Sequence, residues 1–196
     1  VGTLVSVPLN SLVVLRNGPI RTISDLKGKK IGFSVGGFEE ALLSGMLQKY
    51  NLKMSDVDLV NINFSLSPSL ITKKVDAVIG AFRNFELNQM DIVNHPGRAF
   101  YPEEHGVPTY EELIYIANQK NKNNPLFDKF FSAIQKATLT IINDPVSTWK
   151  DFSSFRKGLD DELNKRAYKD TISRFALRPQ AHDIKTYKNF SNFLKR

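Results

Sequence analysis

Residues 30–47 read KIGFSVGGFEEALLSGML and combine three local signals in the order strand, turn, helix. The first six residues are largely apolar, as in a buried strand. Two glycines follow and allow the backbone to turn tightly. From Phe38 or Glu39 onward, apolar side chains recur at helical spacing to about Tyr50. The stretch therefore predicts a strand that passes through a glycine turn into a helix, which is the repeating unit of an α/β sheet.

The turn in this unit, residues 36–40, lies where α/β proteins bind ligands, at the carboxyl end of a strand and the amino end of a helix. Phe38 offers a ring there. Glu39 and Glu40 offer carboxylates, which favour an amine or a protonated heterocycle over a phosphate. No GxxxxGKS/T or GxGxxG motif is present. The two carboxylates are also explained if they only stabilise the positive end of the helix dipole. The sequence leaves both interpretations open, a ligand site or an acidic helix start.

A second junction of the same kind ends the apolar run 75–82. Gly80 begins a turn that presents Asn84, Phe85 and Glu86. Together the two junctions offer rings for stacking, and acceptors for the amino and ring N–H groups of a heteroaromatic ligand. Asn84 also fits a simple helix cap, because Asn is a preferred capping residue.

A third candidate is Tyr110, in the loop 106–112 that enters a predicted strand at 113–117. Tyr110 fits an aromatic wall with a phenolic donor. It equally fits a loop side chain that packs on the core, since tyrosines are often partly buried.

The composition indicates a folded, basic chain. Of 196 residues, 41% are hydrophobic and 14 are Phe, which suffices for a sizeable core. The net charge is +7, but the sequence contains no long basic run and no recognised nucleic-acid module. We therefore expect no nucleic-acid partner. The absence of Cys excludes disulfides, thiolate metal sites and a Cys nucleophile.

Strand and helix patterns alternate over residues 30–118, which predicts a parallel sheet flanked by helices. Residues 3–15 are apolar and β-branched and predict one or two further strands. From Asn124 onward the pattern predicts four helices, the last from about His182 to Leu194. The chain is therefore expected to be an α/β protein with a helical C-terminal part.

No catalytic or metal-binding constellation stands out in the sequence. His95, His105 and His182 are isolated and lack a metal spacing such as HExxH, so we interpret them as surface or loop residues. The acidic pair Glu103 and Glu104 has no partner nucleophile or elbow motif. We therefore expect neither an enzyme nor a bound cofactor or metal.

Four segments resemble the NMT1/THI5-like group of thiamine-pyrimidine-binding proteins. They are residues 24–40, 61–64, 75–86 and 106–113. The DLKGKKIG element in the first segment is common among periplasmic binding proteins. The elements GGFEE, GAFRNFE and GVPTYEEL together are far more specific to the pyrimidine branch, and the resemblance extends over about residues 5–175.

The resemblance implies a type II periplasmic-binding-protein fold, an α/β architecture with a parallel-rich sheet flanked by helices and two lobes that close on a ligand. It implies a second lobe at residues 20–112. Residues 1–19 and 113–196 are implied to form a partial first lobe of crossover strands and C-terminal helices. Family members carry a further N-terminal stretch, so this first lobe is expected to be incomplete.

Seven residues are placed around a pyrimidine ligand by the resemblance: Gly37, Phe38, Glu39, Asn84, Phe85, Glu86 and Tyr110. Glu86 is the residue we expect to pair with the aminopyrimidine edge, because a carboxylate accepts from the exocyclic amine and holds a protonated ring nitrogen. Many family members carry Trp at the position of Arg83, where an Arg plane would stack on a ligand ring differently.

The implied function is capture of hydroxymethylpyrimidine or formylaminopyrimidine, both thiamine precursors, by the substrate-binding component of an ABC importer. The implied partners are this small-molecule ligand and an ABC permease in the inner membrane. The implied location is the periplasm, with an export signal expected upstream of Val1.

Three other interpretations stay open. Fungal members of the group are pyrimidine synthases that use an active-site His, iron and a Cys-rich motif, whereas this sequence has no Cys and no His near the predicted site. A truncated lobe that acts as an interaction module would form a homodimer or larger assembly. Binding proteins for alkanesulfonates or taurine share the fold, but the acidic junctions argue against anionic ligands.

Overall fold

The computed structural model describes residues 1–181 and 183–195. Contacts between residues divide the chain into two compact units. The larger unit comprises Leu9–Pro108 with Phe190–Arg196, and the smaller unit comprises Val1–Pro8 with Thr109–Asn189.

Seven strands and seven α-helices occur in the part of the chain that the structure describes. The strands are β1 (Gly2–Val5), β2 (Asn10–Leu15), β3 (Lys30–Phe33), β4 (Asp58–Asn61), β5 (Ala77–Phe82), β6 (Gly97–Phe100) and β7 (Leu113–Tyr115). The helices are α1 (Phe38–Gln48), α2 (Leu66–Ile71), α3 (Glu86–Ile92), α4 (Leu126–Asn143), α5 (Pro145–Phe155), α6 (Glu162–Ile172) and α7 (Ile184–Leu194). Short 3-10 turns lie at Ile23–Leu26, Met54–Asp56, Pro102–Glu104 and Gln119–Asn121.

The larger unit is built on a five-stranded sheet with the order β4-β3-β5-β2-β6. β3 is parallel to β4 and β5, whereas β2 is antiparallel to both β5 and β6. Four strands therefore run in one direction, and β2 alone runs against them. The predicted α/β fold with a parallel-rich sheet is confirmed.

The predicted alternation over residues 30–118 was wrong at its end. β7, the last strand of that run, pairs with β1 as an antiparallel ribbon in the smaller unit. The residues between β6 and β7 include Pro102 and Pro108 and form a 3-10 turn and loop instead of a crossover helix. Without a crossover helix the chain has no connection that returns it to the same parallel sheet.

β5 lies at the centre of the large sheet and is buried because its sequence AVIGAF is apolar throughout. A core cluster joins this strand to β2, α2 and α3. It comprises Val13, Ile62, Leu66, Leu70, Val75, Val78, Ala81 and Met90. The apolar stripe of α1, at Leu42, Leu43, Met46 and Leu47, is also fully buried, as its helical spacing predicts.

The smaller unit combines the β1–β7 ribbon with helices. Phe131 of α4 is fully buried, and its ring lies edge-on to Tyr115 at a centroid distance of 5.5 Å. Further along the chain, the rings of Trp149 and Tyr168 join α5 to α6. None of the helices that the structure describes has the length and apolar content needed to cross a bilayer.

The bounds of the two predicted lobes stay a prediction. The compact units place β2 with the larger unit, because β2 pairs with β5 and β6, whereas the sequence groups residues 1–19 with the C-terminal helices. The last helix begins at Ile184, and the predicted start at His182 lies outside the described residues.

Two valines of the larger unit provide a test of the core. Val78 in β5 is 1% exposed and Val93 after α3 is 48% exposed. We expect Val78→Ala to lower the free energy of unfolding by about 2 kcal/mol, because two buried methyl groups are lost and a cavity remains. Val93→Ala should change it by less than about 0.5 kcal/mol. Urea unfolding followed by circular dichroism measures both, and equal losses would contradict this assignment of the core.

Candidate functional site

The carboxyl ends of β4, β3 and β5 meet at one edge of the large sheet, because these three neighbouring strands are parallel. Three loops leave this edge, at residues 34–37, 62–65 and 83–85, and lead into α1, α2 and α3. We call this set of loops the carboxyl edge. Open α/β sheets bind ligands at such an edge, and it contains both junctions singled out in the sequence.

Both acidic residues of the first junction bond to their own loop. Glu39 is 4% exposed, and its Oε2 accepts a hydrogen bond of 2.7 Å from the Ser34 amide. Glu40 Oε2 accepts a hydrogen bond of 2.8 Å from the amide of Gly37, whose left-handed φ of +82° turns the chain into α1. These carboxylates therefore order the loop between β3 and α1.

The carboxylate of Glu39 also lies against the backbone of β5. A Cβ atom added to Gly80 would lie 2.3 Å from Glu39 Oε1. Gly80 has a left-handed φ of +100°, and its amide donates to Asn10 Oδ1 at 3.1 Å. The pairing register of β2 with β5 shifts between Ser11 and Leu12, opposite this glycine. Gly80 thus occupies an irregularity of the sheet that makes room for the buried carboxylate.

The second junction carries a carboxylate in a different setting. Glu86 is half-buried at the start of α3, and its Oε2 accepts a hydrogen bond of 2.6 Å from the Phe82 amide. Burial raises the pKa of Glu86, and the bond from Phe82 only partly offsets this effect. Asn84 is 8% exposed, and its main-chain carbonyl accepts a hydrogen bond of 3.0 Å from Asn88 Nδ2.

Arg83 joins the second junction to the 3-10 turn at Pro102–Glu104. Its guanidinium forms two hydrogen bonds with the Glu103 carboxylate, at 2.6 and 3.0 Å, and lies 3.9 Å from the centre of the Tyr101 ring. It also donates to the carbonyls of Leu9 and Asn10. The Arg83 guanidinium is therefore engaged by protein groups on all these sides.

The middle loop contains residues that were not predicted as part of the site. Asn63 and Phe64 have consecutive left-handed φ values of +46° and +61°, which is unusual for a residue as bulky as Phe. Their amides donate to the Asn61 side chain and to Ser34 Oγ. The Phe64 ring is 75% exposed. Sequence reasoning singled out residues 61–64 only as part of the resemblance, because nothing in their pattern reveals a positive φ.

A cavity of about 360 Å³ lies at the carboxyl edge, and we call it the edge cavity. Its lining comprises Asn63, Phe64, Ser65, Leu66, Ser67, Pro68, Phe85, Glu86 and Gln89. The structure thus brings two predicted residues, Phe85 and Glu86, together with the middle loop. Its polar side chains are one carboxylate, two amides and two hydroxyls, and no Lys, Arg or His is among the lining residues.

The other predicted residues lie outside this lining. Phe38 is half-buried, with its ring edge-on to Phe190 at 6.3 Å. Gly37 is exposed, and Glu39 and Asn84 are buried. Tyr110 belongs to the smaller unit and is 3% exposed. Convergence of all seven residues on one ligand stays a prediction.

The histidines differ from one another. His95 is exposed after α3, as expected. His105 lies in the turn after Pro102–Glu104, as expected of a loop residue, and is half-buried. Its Nδ1 lies 2.8 Å from the Tyr50 hydroxyl, and burial lowers its pKa. His182 lies outside the described residues. Across residues 1–181 and 183–195, no group of three His, Asp or Glu side chains is arranged to hold a metal ion.

Comparison with known proteins places the chain in a family. The model of the NMT1/THI5-like family matches residues 1–148, so the chain belongs to this family. A Haemophilus influenzae protein whose name refers to thiamine biosynthesis is 46% identical over all 196 residues, which span 62% of that protein. The formylaminopyrimidine-binding protein of Halalkalibacterium halodurans is 26% identical over 147 residues, 74% of this chain and 44% of that protein.

A 4-amino-5-hydroxymethyl-2-methylpyrimidine phosphate synthase of Schizosaccharomyces pombe is also related, at 26% identity over the whole chain and 59% of the enzyme. Among solved structures, the periplasmic aliphatic sulphonate-binding protein of Escherichia coli superposes with a TM-score of 0.73 at 15% identity, over 99% of this chain and 63% of that one. The fold is therefore that of periplasmic binding proteins. The chain spans less than two thirds of the length of these relatives.

The contact between Glu39 and Gly80 predicts a large effect from one methyl group. We expect Gly80→Ala to lower the free energy of unfolding by about 3 kcal/mol or more, because its Cβ collides with a buried carboxylate on a left-handed backbone. Gly36→Ala is the matched control, since a Cβ there meets no atom within 4 Å, and it should change stability by less than about 0.5 kcal/mol. Thermal or urea unfolding of the two variants decides this, and similar stabilities would contradict the contact.

Burial of Glu86 predicts a dependence of stability on pH. Because its pKa in the folded protein is raised above the ordinary value of 4.5, its protonated form favours the folded state. This contribution is complete below pH 4.5 and is lost as the pH rises through the raised pKa. We therefore expect Glu86→Gln to stabilise the protein relative to the wild type more at neutral pH than below pH 4.5. Urea unfolding at the two pH values measures the difference, and a pH-independent difference would contradict it.

Proposed function

We propose that this chain is a binding protein without catalytic activity that captures a thiamine pyrimidine precursor, hydroxymethylpyrimidine or formylaminopyrimidine. In this proposal it is the substrate-binding component of an ABC importer, works in the periplasm and delivers its ligand to a permease in the inner membrane. The observation that carries the proposal is the half-buried carboxylate of Glu86 beside the ring of Phe85 in the edge cavity.

The chemistry of an aminopyrimidine fits this carboxylate. Its exocyclic amine and protonated ring nitrogen are two adjacent donors, and a carboxylate accepts from both at once. Burial makes the ionised Glu86 unfavourable in the free protein, and a cationic ligand edge removes that penalty. The ring of Phe85 supplies apolar area beside it, as flat heterocycles require.

The remaining predicted residues have two kinds of role in the proposal. Glu39 orders the first loop, because its Oε2 accepts a hydrogen bond from the Ser34 amide and its carboxylate packs against Gly80. We infer that Gly37, Phe38 and Asn84 of the larger unit supply further ligand contacts. A flat ligand held between such groups loses its water, which strengthens the few charge-assisted hydrogen bonds.

The ligand differs in charge from that of the structural neighbours. Those proteins are named for sulphonates, which are anions, whereas the lining of the edge cavity contains a carboxylate and no basic residue. Two relatives named for a pyrimidine or for thiamine biosynthesis support the pyrimidine instead. Fold and ligand are separate questions, because one fold supports many sites.

The fungal relatives define the second candidate, synthesis of a pyrimidine phosphate. The chain has no Cys, whereas the family resemblance implies a Cys-rich motif with a His and iron in the fungal synthases. Formation of a pyrimidine phosphate by the purified protein would favour this candidate over transport.

Isothermal titration with 4-amino-5-hydroxymethyl-2-methylpyrimidine tests the proposal. We expect binding by the wild type and at least about tenfold weaker binding by Glu86→Gln, because a charge-assisted hydrogen bond becomes a neutral one. Glu104→Gln is the control, since Glu104 is exposed in the 3-10 turn at Pro102–Glu104, and its affinity should equal that of the wild type. Absence of heat from a protein that is folded by circular dichroism would refute the proposal.

A further inference from the structure

Ser67 presents a buried polar group at the edge cavity. It lies in α2 with 2% of its surface exposed, and it lines the cavity. Its Oγ is buried and has no hydrogen-bond partner among the residues that the structure describes. An unsatisfied buried hydroxyl is unfavourable, so a ligand group that bonds to it removes an existing penalty.

Phe64 presents an apolar group at the same cavity. Its ring is 75% exposed although it lines the cavity, so it bounds the cavity on the solvent side. The left-handed backbone at Asn63 and Phe64 is strained, and such strain persists where the surrounding structure enforces it, often at ligand sites. An exposed ring adds little to the free energy of unfolding. The stability of the fold therefore does not explain why a Phe occupies this backbone position.

The remaining polar groups restrict what enters the cavity. Glu86 contributes a carboxylate and Gln89 an amide, and the lining contains no cation. A substituent with a hydrogen-bond donor, an acceptor and no negative charge suits the hydroxyl and the amide, beside the carboxylate that binds the aminopyrimidine edge in the proposed function. A phosphate ester would meet a carboxylate without a compensating base, which is unfavourable in a partly buried site.

We propose that the edge cavity is the specificity pocket for the polar substituent of the pyrimidine ring. Ser67 and Phe64 are its specificity-determining residues. It accepts an uncharged substituent such as hydroxymethyl or formylamino, and it excludes the phosphate ester of the same pyrimidine. This inference rests on the proposed function and assigns a part of the ligand to a part of the site.

Titration with three ligands tests the inference: 4-amino-2,5-dimethylpyrimidine, its 5-hydroxymethyl analogue and the phosphate ester of that analogue. We expect the wild type to prefer the hydroxymethyl compound over the dimethyl compound by about fivefold, the size of one neutral hydrogen bond. The phosphate ester should bind at least about a hundredfold more weakly than the hydroxymethyl compound. Ser67→Ala should abolish the preference for hydroxymethyl while leaving affinity for the dimethyl compound unchanged.

Two matched controls separate this role from folding. Ser69→Ala alters a serine of the same helix that is 4% exposed and does not line the cavity, and it should retain the preference. Phe64→Ala should reduce the preference by opening the cavity to water, whereas Phe155→Ala, which removes an 86% exposed ring in the smaller unit, should not. Unfolding curves identify any variant whose fold is damaged. If Ser67→Ala is damaged, the Ser67→Thr variant is used instead. Its extra methyl group should lower the affinity for the hydroxymethyl compound more than the affinity for the dimethyl compound.

The outcomes distinguish the inference from the proposed function. If none of the three ligands binds, the proposed function fails and the inference fails with it. If the ligands bind but Ser67→Ala weakens all of them equally, or the phosphate ester binds as well as the hydroxymethyl compound, the inference alone is wrong. Loss of the preference in Ser67→Ala but not in Ser69→Ala supports it.

Discussion

A buried carboxylate joins the two strands on which the carboxyl edge depends. Glu39 accepts a hydrogen bond from Ser34 at the end of β3, and its oxygens lie directly against Gly80 in β5. A buried carboxylate is tolerated only when it is hydrogen-bonded, so this contact favours one position of the α1 start relative to β5. A side chain at position 80 would occupy the same space. Position 80 therefore requires glycine as long as the Glu39 carboxylate is buried beside it.

Of the charged side chains at the carboxyl edge, some are engaged by other protein groups and one lines the edge cavity. Arg83 is neutralised by Glu103 and covered by Tyr101, while Glu39 is occupied by backbone groups. Glu86 is left as the carboxylate that lines the edge cavity. The chain carries a net charge of +7, yet the lining of this cavity has the opposite sign. The net charge of the chain therefore does not give the charge of this cavity, because charges act most strongly within a few ångströms.

Proteins that share this fold are named for different ligands. Sulphonate-binding proteins share the architecture at 15–17% identity, and the relative named for formylaminopyrimidine shares the family. The sheet positions three loops next to each other, and the side chains on those loops set the chemistry. The lining of the edge cavity contains a carboxylate, a buried hydroxyl and two rings, and the proposal of an aminopyrimidine ligand rests on these groups.

The sequence by itself determined the α/β class, the order of its elements, the two glycine junctions and the family, because strand and helix periodicity and turn residues act over a few neighbours. It also predicted Phe85 and Glu86, which follow a strongly apolar strand. Only the tertiary structure decided that β2 reverses direction within the sheet, that Glu39 is buried against Gly80 and that Arg83 is engaged by Glu103. Only the structure revealed Phe64 and Ser67 at the edge cavity. These features arise from contacts between residues 20 to 70 positions apart, or from a left-handed backbone, and neither leaves a local pattern in the sequence.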